Sequence, residues 1–408
     1  MDTPNVVITG VGVIAPNGIG KDEFWASLKE GRTGIKPITS FETAFFKSKT
    51  AGEITGFEAE KFLGPKGLRM LDRGTRYLLA ASKLALEDAN LQINEANCQD
   101  IGAVTATTLS VIWNISDFTK DAHDEGQANP AKFSGTTINA PSSQISIRYG
   151  IKGFNATIST GFTASLDALK YAMDFIRLGR AQVVLLAGVE SLFFQTFVGF
   201  YKLDFLAGIK GPEISCPFDK RRNGIVLGEG AGVVILENEE YAKKRNARAY
   251  ARVAAAESFF DPFRSGKYSP RAEGLKRTMT AVIDRSNIQM QNIDYICASA
   301  NSVPFQDSLE TGAIKEVFGE TAKSIPVSSI KSMIGETVSA AGILQLCAGV
   351  GAMQGGFIPP TINYLEPDPE CDLDYVTKGS LNKKPSNILI NNFGPGGTNA
   401  SAIISKYE

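Results

Sequence analysis

Two periodicities alternate along the chain. Apolar residues run almost unbroken over 5–16 (NVVITGVGVIAP) and 181–191 (AQVVLLAGVES), rich in β-branched side chains. Such runs predict strands buried on both faces. Elsewhere apolar positions recur every three or four residues. They predict a short helix over 20–31, one long helix with a charged face over 68–91, and a helix over 110–118 with Val111, Ile115 and Phe118 on one side. Segment 100–109 predicts a strand, and 224–238 a loop followed by a strand. Stretch 157–169 (TISTGFTASLDAL) predicts a strand ending near Ile158 that turns sharply into an amphipathic helix carrying Leu166, Leu169, Met173 and Ile176.

The pattern then restarts. Strands are predicted over 247–259, 294–302 and on either side of a glycine turn in 386–406. Helices are predicted over 269–288 and 307–319, and a small-residue helix over 339–356. The division falls near residue 250. This predicts two α/β halves, 1–250 and 251–408, with mixed sheets. No low-complexity linker separates them, so the halves are expected to pack tightly.

Composition narrows the function. The 408 residues are too many for one simple core. A net charge of −1 with no basic run argues against a nucleic-acid partner. The N-terminal ten residues lack a basic region before their short apolar run, so no signal peptide is expected, and no apolar stretch of about 20 residues predicts a membrane span. The five cysteines are odd in number and show no C-x-x-C spacing. They predict neither a disulfide framework nor a zinc site, and they fit a reducing cytoplasm. The chain has one histidine, His123, in the polar, loop-like stretch KDAHDEGQANP. Any mechanism that needs two histidines is therefore excluded, and so is a histidine-rich metal site.

Three motifs invite chemical readings. GVGVIA (10–15) matches a dinucleotide-binding glycine pattern, but Pro16, Asn17, Gly18 and Gly20 intervene before a helix, so a structural turn is the better reading. NNFGPGGTNAS (391–401) could cradle an anion or close a tight hairpin. KSMIGETVSAAG (331–342) carries Lys331 and Glu336, a buried ion pair or two surface charges. The strand-to-helix turn at 157–169 is a usual seat for a nucleophile, because a helix N-terminus favours negative charge. Phe162 stands at that turn and has no nucleophilic atom.

Ordered stretches along essentially the whole chain carry a resemblance. They include VVITGVGVIAPNG, RLGRAQVVLLAGVES, PFDKRRNGIVLGEGAGVVILE, PVSSIKSMIGE, PPTINYLEPDPECDLDYV and NNFGPGGTNAS. The chain resembles the thiolase-fold β-ketoacyl synthases of fatty acid and polyketide synthesis. The resemblance implies two pseudo-symmetric halves in five αβαβα layers, and a dimer. It implies a Cys-His-His set in catalytic members, with backbone N–H groups holding the thioester oxygen. Carried over position by position, the cysteine is Phe162 here. The first histidine is Ser299 in ASANSVP, and the second is Glu336 in KSMIGE. The phenylalanine of the glycine turn, whose N–H serves the oxyanion, is Pro395, which has no N–H. Lys331, Glu310, Glu229 and Asp219 remain as scaffold.

This pattern resembles the chain length factor, or ketosynthase-β, of type II polyketide synthases. The source is expected to be Gram-negative and of the anthraquinone type. The resemblance implies a non-catalytic subunit that pairs with a catalytic ketosynthase-α and completes the tunnel for a poly-β-ketone made from malonyl units on an acyl carrier protein. The carrier is met directly or through the partner. The leading product is an octaketide aromatic. Val111, Ile112, Ile115 and Phe118, with Trp113 and Asn114 beside them, are the expected chain-length gate. No cofactor and no metal are expected. The alternatives are a subunit of an aryl polyene synthase pair and a homodimeric acyl-chain-binding scaffold. A self-sufficient enzyme using Thr160, Thr163 or Ser165 lacks a base.

Overall fold

The computed structural model describes residues 4–124, 129–263 and 267–407. The strands of the main sheet are β1 (Val6–Ala15), β2 (Ile101–Ala106), β3 (Asn155–Ile158), β4 (Val183–Glu190), β5 (Gly230–Asn238), β6 (Ala251–Phe260), β7 (Tyr295–Cys297), β8 (Val327–Ser328), β9 (Asn387–Phe393) and β10 (Thr398–Lys406). The helices that matter for the site are α1 (Lys21–Glu30), α2 (Arg73–Asp88), α3 (Ile112–Asp124), α4 (Ala164–Arg177), α5 (Phe194–Lys202), α6 (Glu273–Ser286), α7 (Pro304–Phe318) and α8 (Ala341–Gly355). A short strand, Gly18–Ile19, folds back on β1.

The strand order is β3-β2-β4-β5-β1-β6-β10-β9-β7-β8. Outward from the centre the two sides repeat. β1 pairs antiparallel with β5, β5 antiparallel with β4, and β2 lies parallel between β4 and β3. On the other side β6, β10, β9, β7 and β8 follow in the same order with the same directions. Among the described residues, the half-sheets pair where Val6–Ile8 meet Ala251–Val253.

Period-two alternation sends each strand's side chains into two different cores. Val184 and Leu186 of β4 face the same core as Leu166, Leu169 and Met173 of α4, whereas Val183 and Leu185 face Leu78 and Ala81 of α2. In the second half Ile388 and Ile390 join the α8 core, and Leu389 joins Leu275 and Met279 of α6. The result is five layers: α2, half-sheet, the α4–α8 layer, half-sheet, and α6 with α7. This is the thiolase fold. Segment Val338–Gly355 is long and apolar enough to cross a membrane, but 89% of it is buried between the half-sheets, so it is a core helix.

Three predicted elements differ. The single helix over 68–91 is broken: Leu68–Met70 form a 3-10 turn, Leu71 is extended, and Asp72 caps α2 by accepting from the Thr75 N–H at 2.9 Å. The strand over 294–302 ends at Cys297, because the N–H groups of Ser299 and Ala300 turn to the Glu310 carboxylate instead of a neighbouring strand. His123 is not in a loop. It lies exposed in the last turn of α3, because the helical periodicity of 110–118 continues through polar residues. Residues 125–128 of that stretch, and Met1–Thr3 of the N-terminal run, lie outside the described residues.

The glycines of GVGVIA serve packing. A Cβ on Gly12 would sit 1.9 Å from the Ala81 carbonyl oxygen, and one on Gly10 2.3 Å from that of Ala85. Strand and helix backbones touch there. Gly12→Ala is therefore expected to destabilise the protein by about 1–3 kcal/mol, read as a lower midpoint in denaturant unfolding.

Candidate functional site

The C-terminal ends of β3 and β8 bring two matching turns together. After β3 the chain makes a 3-10 turn, Gly161–Thr163, and enters α4. In the second half a 3-10 turn, Val338–Ala340, enters α8. The turns are tied directly: the Ser339 hydroxyl donates to the Gly161 carbonyl at 3.2 Å, and the Ser165 hydroxyl donates to the Ser339 carbonyl. Gly161 and Val338 both have positive φ, 67° and 45°. For a β-branched residue that conformation is strained. Part of what holds it is the Val338 N–H, which donates to Glu336 Oε1 at 2.9 Å.

Phe162 points inward from the first turn and is buried. Its ring fills the space a side chain at 394 would take: a Cβ on Gly394 would lie 2.8 Å from Phe162 Cδ2. Phe200 of α5 meets it edge-on, with ring centroids 6.3 Å apart. Pro395 stands next to Gly394 in the β9–β10 hairpin, half-buried, with no N–H to offer. The hydroxyls near this turn are already engaged. Thr163 donates to Asp167 Oδ2 at 2.8 Å, Thr160 donates to the same oxygen, and Ser165 is committed to Ser339.

Ser299, Lys331 and Glu336 form one buried polar cluster. Lys331 Nζ donates to Glu336 Oε2 and to the Ser299 carbonyl, each at 2.8 Å. Asn301 Nδ2 adds a bond to Glu336 Oε2 at 2.9 Å. With the Val338 N–H on Oε1, the Glu336 carboxylate is matched on both oxygens. Of the two readings of Lys331 and Glu336, the buried ion pair is the one observed. The Ser299 hydroxyl is held between the Phe393 N–H (3.2 Å) and Gln306 Nε2 (3.4 Å). Glu310 accepts from the N–H groups of Ser299 and Ala300 at 2.9 and 2.8 Å, and from Asn391 Nδ2 at 3.2 Å. Burial pushes its carboxyl up to about 7 despite those donors. Glu229 lies elsewhere, pairing with Arg73 and accepting from the Ile54 and Leu192 N–H groups. Asn301 was not singled out from the sequence, since a single asparagine in a loop carries no local signal.

Helix α3 has no buried side chain along its length, and Trp113 and Ile115 are 45% and 46% exposed. Val111, one residue before it, is buried; Ile112 and Phe118 are half-buried, and the Phe118 ring meets Phe133 at 5.5 Å. Beside α3 lies a cavity of about 770 Å³. Trp113, Asn114 and Asp117 line it from α3, facing Phe41, Met70, Phe193 and Phe194. Trp113 stacks on Phe193 with ring centroids 6.0 Å apart. Of the six residues singled out around the gate, Trp113 and Asn114 line this cavity, and Val111, Ile112, Ile115 and Phe118 do not. The far wall is supplied by Leu192, Phe193 and Phe194, the start of the aromatic run LFFQTFVGFY.

A repeated half-sheet with two helices buried between the halves, and a turn from each half meeting at the sheet ends, defines a condensing-enzyme fold of the thiolase type. Comparison with known proteins agrees. The chain matches the beta-ketoacyl synthase N-terminal domain over residues 3–242 and the C-terminal domain over residues 250–365, and it belongs to the beta-ketoacyl synthase family. It is 34% identical to a 3-oxoacyl-acyl-carrier-protein synthase 2 of Coxiella burnetii, over 100% of this chain and 99% of that one. It is 32% identical to the tetracenomycin polyketide synthase ketoacyl synthase alpha subunit of Streptomyces glaucescens, over 98% and 97%. Among solved structures it is similar to the ishigamide ketosynthase/chain length factor, with a TM-score of 0.94 at 30% identity over 100% of both chains. It is also similar to a type II polyketide synthase acyl-carrier protein in complex with its ketosynthase bound to the hexaketide, with a TM-score of 0.90 at 29% identity over 100% of both.

Two outcomes follow for the polar cluster. Glu336→Ala leaves Lys331 charged and buried without its partner, so thermal or denaturant unfolding is expected to show a loss of about 3–5 kcal/mol. Glu310 is raised from its ordinary 4.5 to about 7 in the folded protein, so the folded state holds the proton longer than the unfolded chain. Its contribution is fully present below about 4.5 and declines as pH rises to about 7. Glu310→Gln is expected to make that part of the stability-against-pH curve less steep, leaving the share of Glu190 and Glu229, which burial raises over the same range.

Proposed function

We propose that this chain is the non-catalytic, ketosynthase-like subunit of a type II polyketide synthase pair. It completes a tunnel for the growing chain and limits its length, while a catalytic ketosynthase partner does the chemistry. The observation that carries this reading is the state of the four positions that react in catalytic relatives. Phe162 occupies the nucleophile's turn and fills its pocket, Ser299 and Glu336 replace the histidines, and Pro395 removes an oxyanion donor. Glu336 cannot stand in for an imidazole, since both its oxygens are bound and it neutralises Lys331. His123, exposed at the end of α3, is the chain's one imidazole.

The unburied α3 and the single-neighbour edge strand β3 are the surfaces offered to the partner. Ile112, Ile115 and Phe118 are proposed to face it and to end the tunnel, with Val111 buried behind them rather than facing the partner. The aromatic side of the cavity, Trp113 with Phe41, Phe193 and Phe194, gives a growing chain an apolar surface, while Asp72, Asp117 and Lys132 line its polar side. The building blocks are malonyl units on an acyl carrier protein, met directly or through the partner, and the leading product is an octaketide aromatic. We place the pair in the cytoplasm, where five buried, unpaired thiols are at home.

The test is to produce the chain alone and together with a ketosynthase from the same gene neighbourhood that keeps Cys-His-His. Alone, it is expected to take up no acyl group from an acyl carrier protein; together, the two should co-purify one to one. In the complex, single alanine substitutions at Ile112, Trp113, Ile115 and Phe118 are expected to lengthen products by two-carbon units at retained turnover, read by mass spectrometry. Unchanged products from an intact complex would leave α3 as interface packing only. A stable homodimer that retains acyl chains and ignores the ketosynthase would favour a scaffold instead.

A further inference from the structure

Glu190 ends β4 and is buried in the protein. Its Oε1 gathers three donors from one short turn: the Thr107 hydroxyl at 3.1 Å, the Thr108 N–H at 3.3 Å and the Leu109 N–H at 2.9 Å. That turn leads from β2 into α3. Oε2 of the same carboxyl accepts no hydrogen bond among the described residues. A buried carboxyl bound mainly on one side is costly, and here burial raises it to about 7 although these donors and the nearby Ser339 hydroxyl favour its charged form.

The turn that Glu190 holds is wired onward. The Thr108 hydroxyl shares a hydrogen bond with the Ser339 hydroxyl at 2.6 Å and accepts from the Gly161 N–H at 3.2 Å. One residue therefore links the start of α3 to the turn bearing Phe162 and to the matching turn of the second half. Below that point α3 has little of its own to hold it, since none of its side chains is buried. Its remaining ties lie along one side of the exposed helix: Asn114 to Asp72 and the Gly135 carbonyl, Gln195 to Ser116, Asp117 and Asp121 to Lys132, and the rings of Trp113 and Phe118 against Phe193 and Phe133.

We propose that Glu190 is the positioning residue of the tunnel end: through the Thr107–Leu109 turn it sets where α3 lies, and so where the growing chain stops. It touches neither substrate nor partner. This rests on the length-setting role proposed above, so the experiment separates the two.

The measurement is hydrogen–deuterium exchange over 107–118 in the purified complex with its ketosynthase, alongside product length, for Glu190→Leu, Glu190→Gln and Thr108→Val. Glu190→Leu removes the acceptor at similar volume; exchange at the Thr108 and Leu109 amides is expected to rise roughly tenfold or more, with products spread over neighbouring chain lengths. Glu190→Gln keeps a carbonyl acceptor and is expected to behave as the parent protein. Thr108→Val keeps the shape and the Glu190 bonds to the backbone, and is expected to speed exchange at Gly161. Should Glu190→Leu fail to fold, Thr107→Val, which removes one donor to Oε1, carries the test through the same exchange readout at Thr108 and Leu109. Parent-like exchange across 107–118 and at Gly161 in folded Leu and Val variants would overturn the proposal. Faster exchange in Glu190→Leu with unchanged products would uphold the positioning and remove the length-setting role of α3.

Discussion

Two helices sealed between two half-sheets govern this molecule. Every residue of α8 from Ala341 to Met353 is buried, and α4 buries Leu166, Leu169, Met173 and Ile176 on the same core. Water is excluded from that layer, so each polar group in it must find its partner inside the protein. Gln345, alone in the apolar run of α8, does so by donating to the Ala298 carbonyl and accepting from Asn392. Close approach is the other condition. Gly349 leaves room for Ile404, and Gly351 for the ring of Trp25, whose indole N–H reaches the Cys347 carbonyl.

The site follows from how those helices begin. Their N-terminal turns have to meet at the sheet ends, because the half-sheets repeat one topology about the centre and the helices lie between them. In a catalytic member, that meeting point concentrates helix N-terminal charge and backbone donors where an acyl group reacts. Here a phenyl ring fills the space above one turn, and a fully matched ion pair lies beneath the other. A buried charge pair is rarely a large net gain over apolar packing, but each member forbids loss of the other. Lys331 and Glu336 act structurally: they hold the strained Val338 turn and the Ser299 loop together.

Helix α3 is the exception to this economy. It has an amphipathic pattern but no buried side chain, so its position depends on hydrogen bonds at its start, on the Lys132 ion pairs and ring contacts along one side, and on whatever packs against its exposed face. Such an element is the natural place for a second chain to contribute, and for a buried residue such as Glu190 to act at a distance.

Much of this was legible in the sequence. Continuous apolar runs, the restart of the pattern after residue 250, and the strand-to-helix turn at Phe162 all follow from local periodicity, which the backbone obeys wherever packing agrees with it. The residues at 162, 299, 336 and 395 could be picked out from ordered motifs, and the structure shows Phe162 packed beside Gly394 and Ser299 linked through Lys331 to Glu336. Other features depended on contacts between residues far apart in the chain. The helix over 68–91 broke at Asp72 because a cap outweighed periodicity. The strand after Tyr295 stopped because a carboxylate from α7 drew its amides away. The aromatic wall around Trp113, the one-sided carboxyl of Glu190 and the bond from Asn301 to Glu336 join residues from separate elements. Periodicity determines which face of an element is apolar; only the assembled layers decide which polar groups are sealed in and must answer one another.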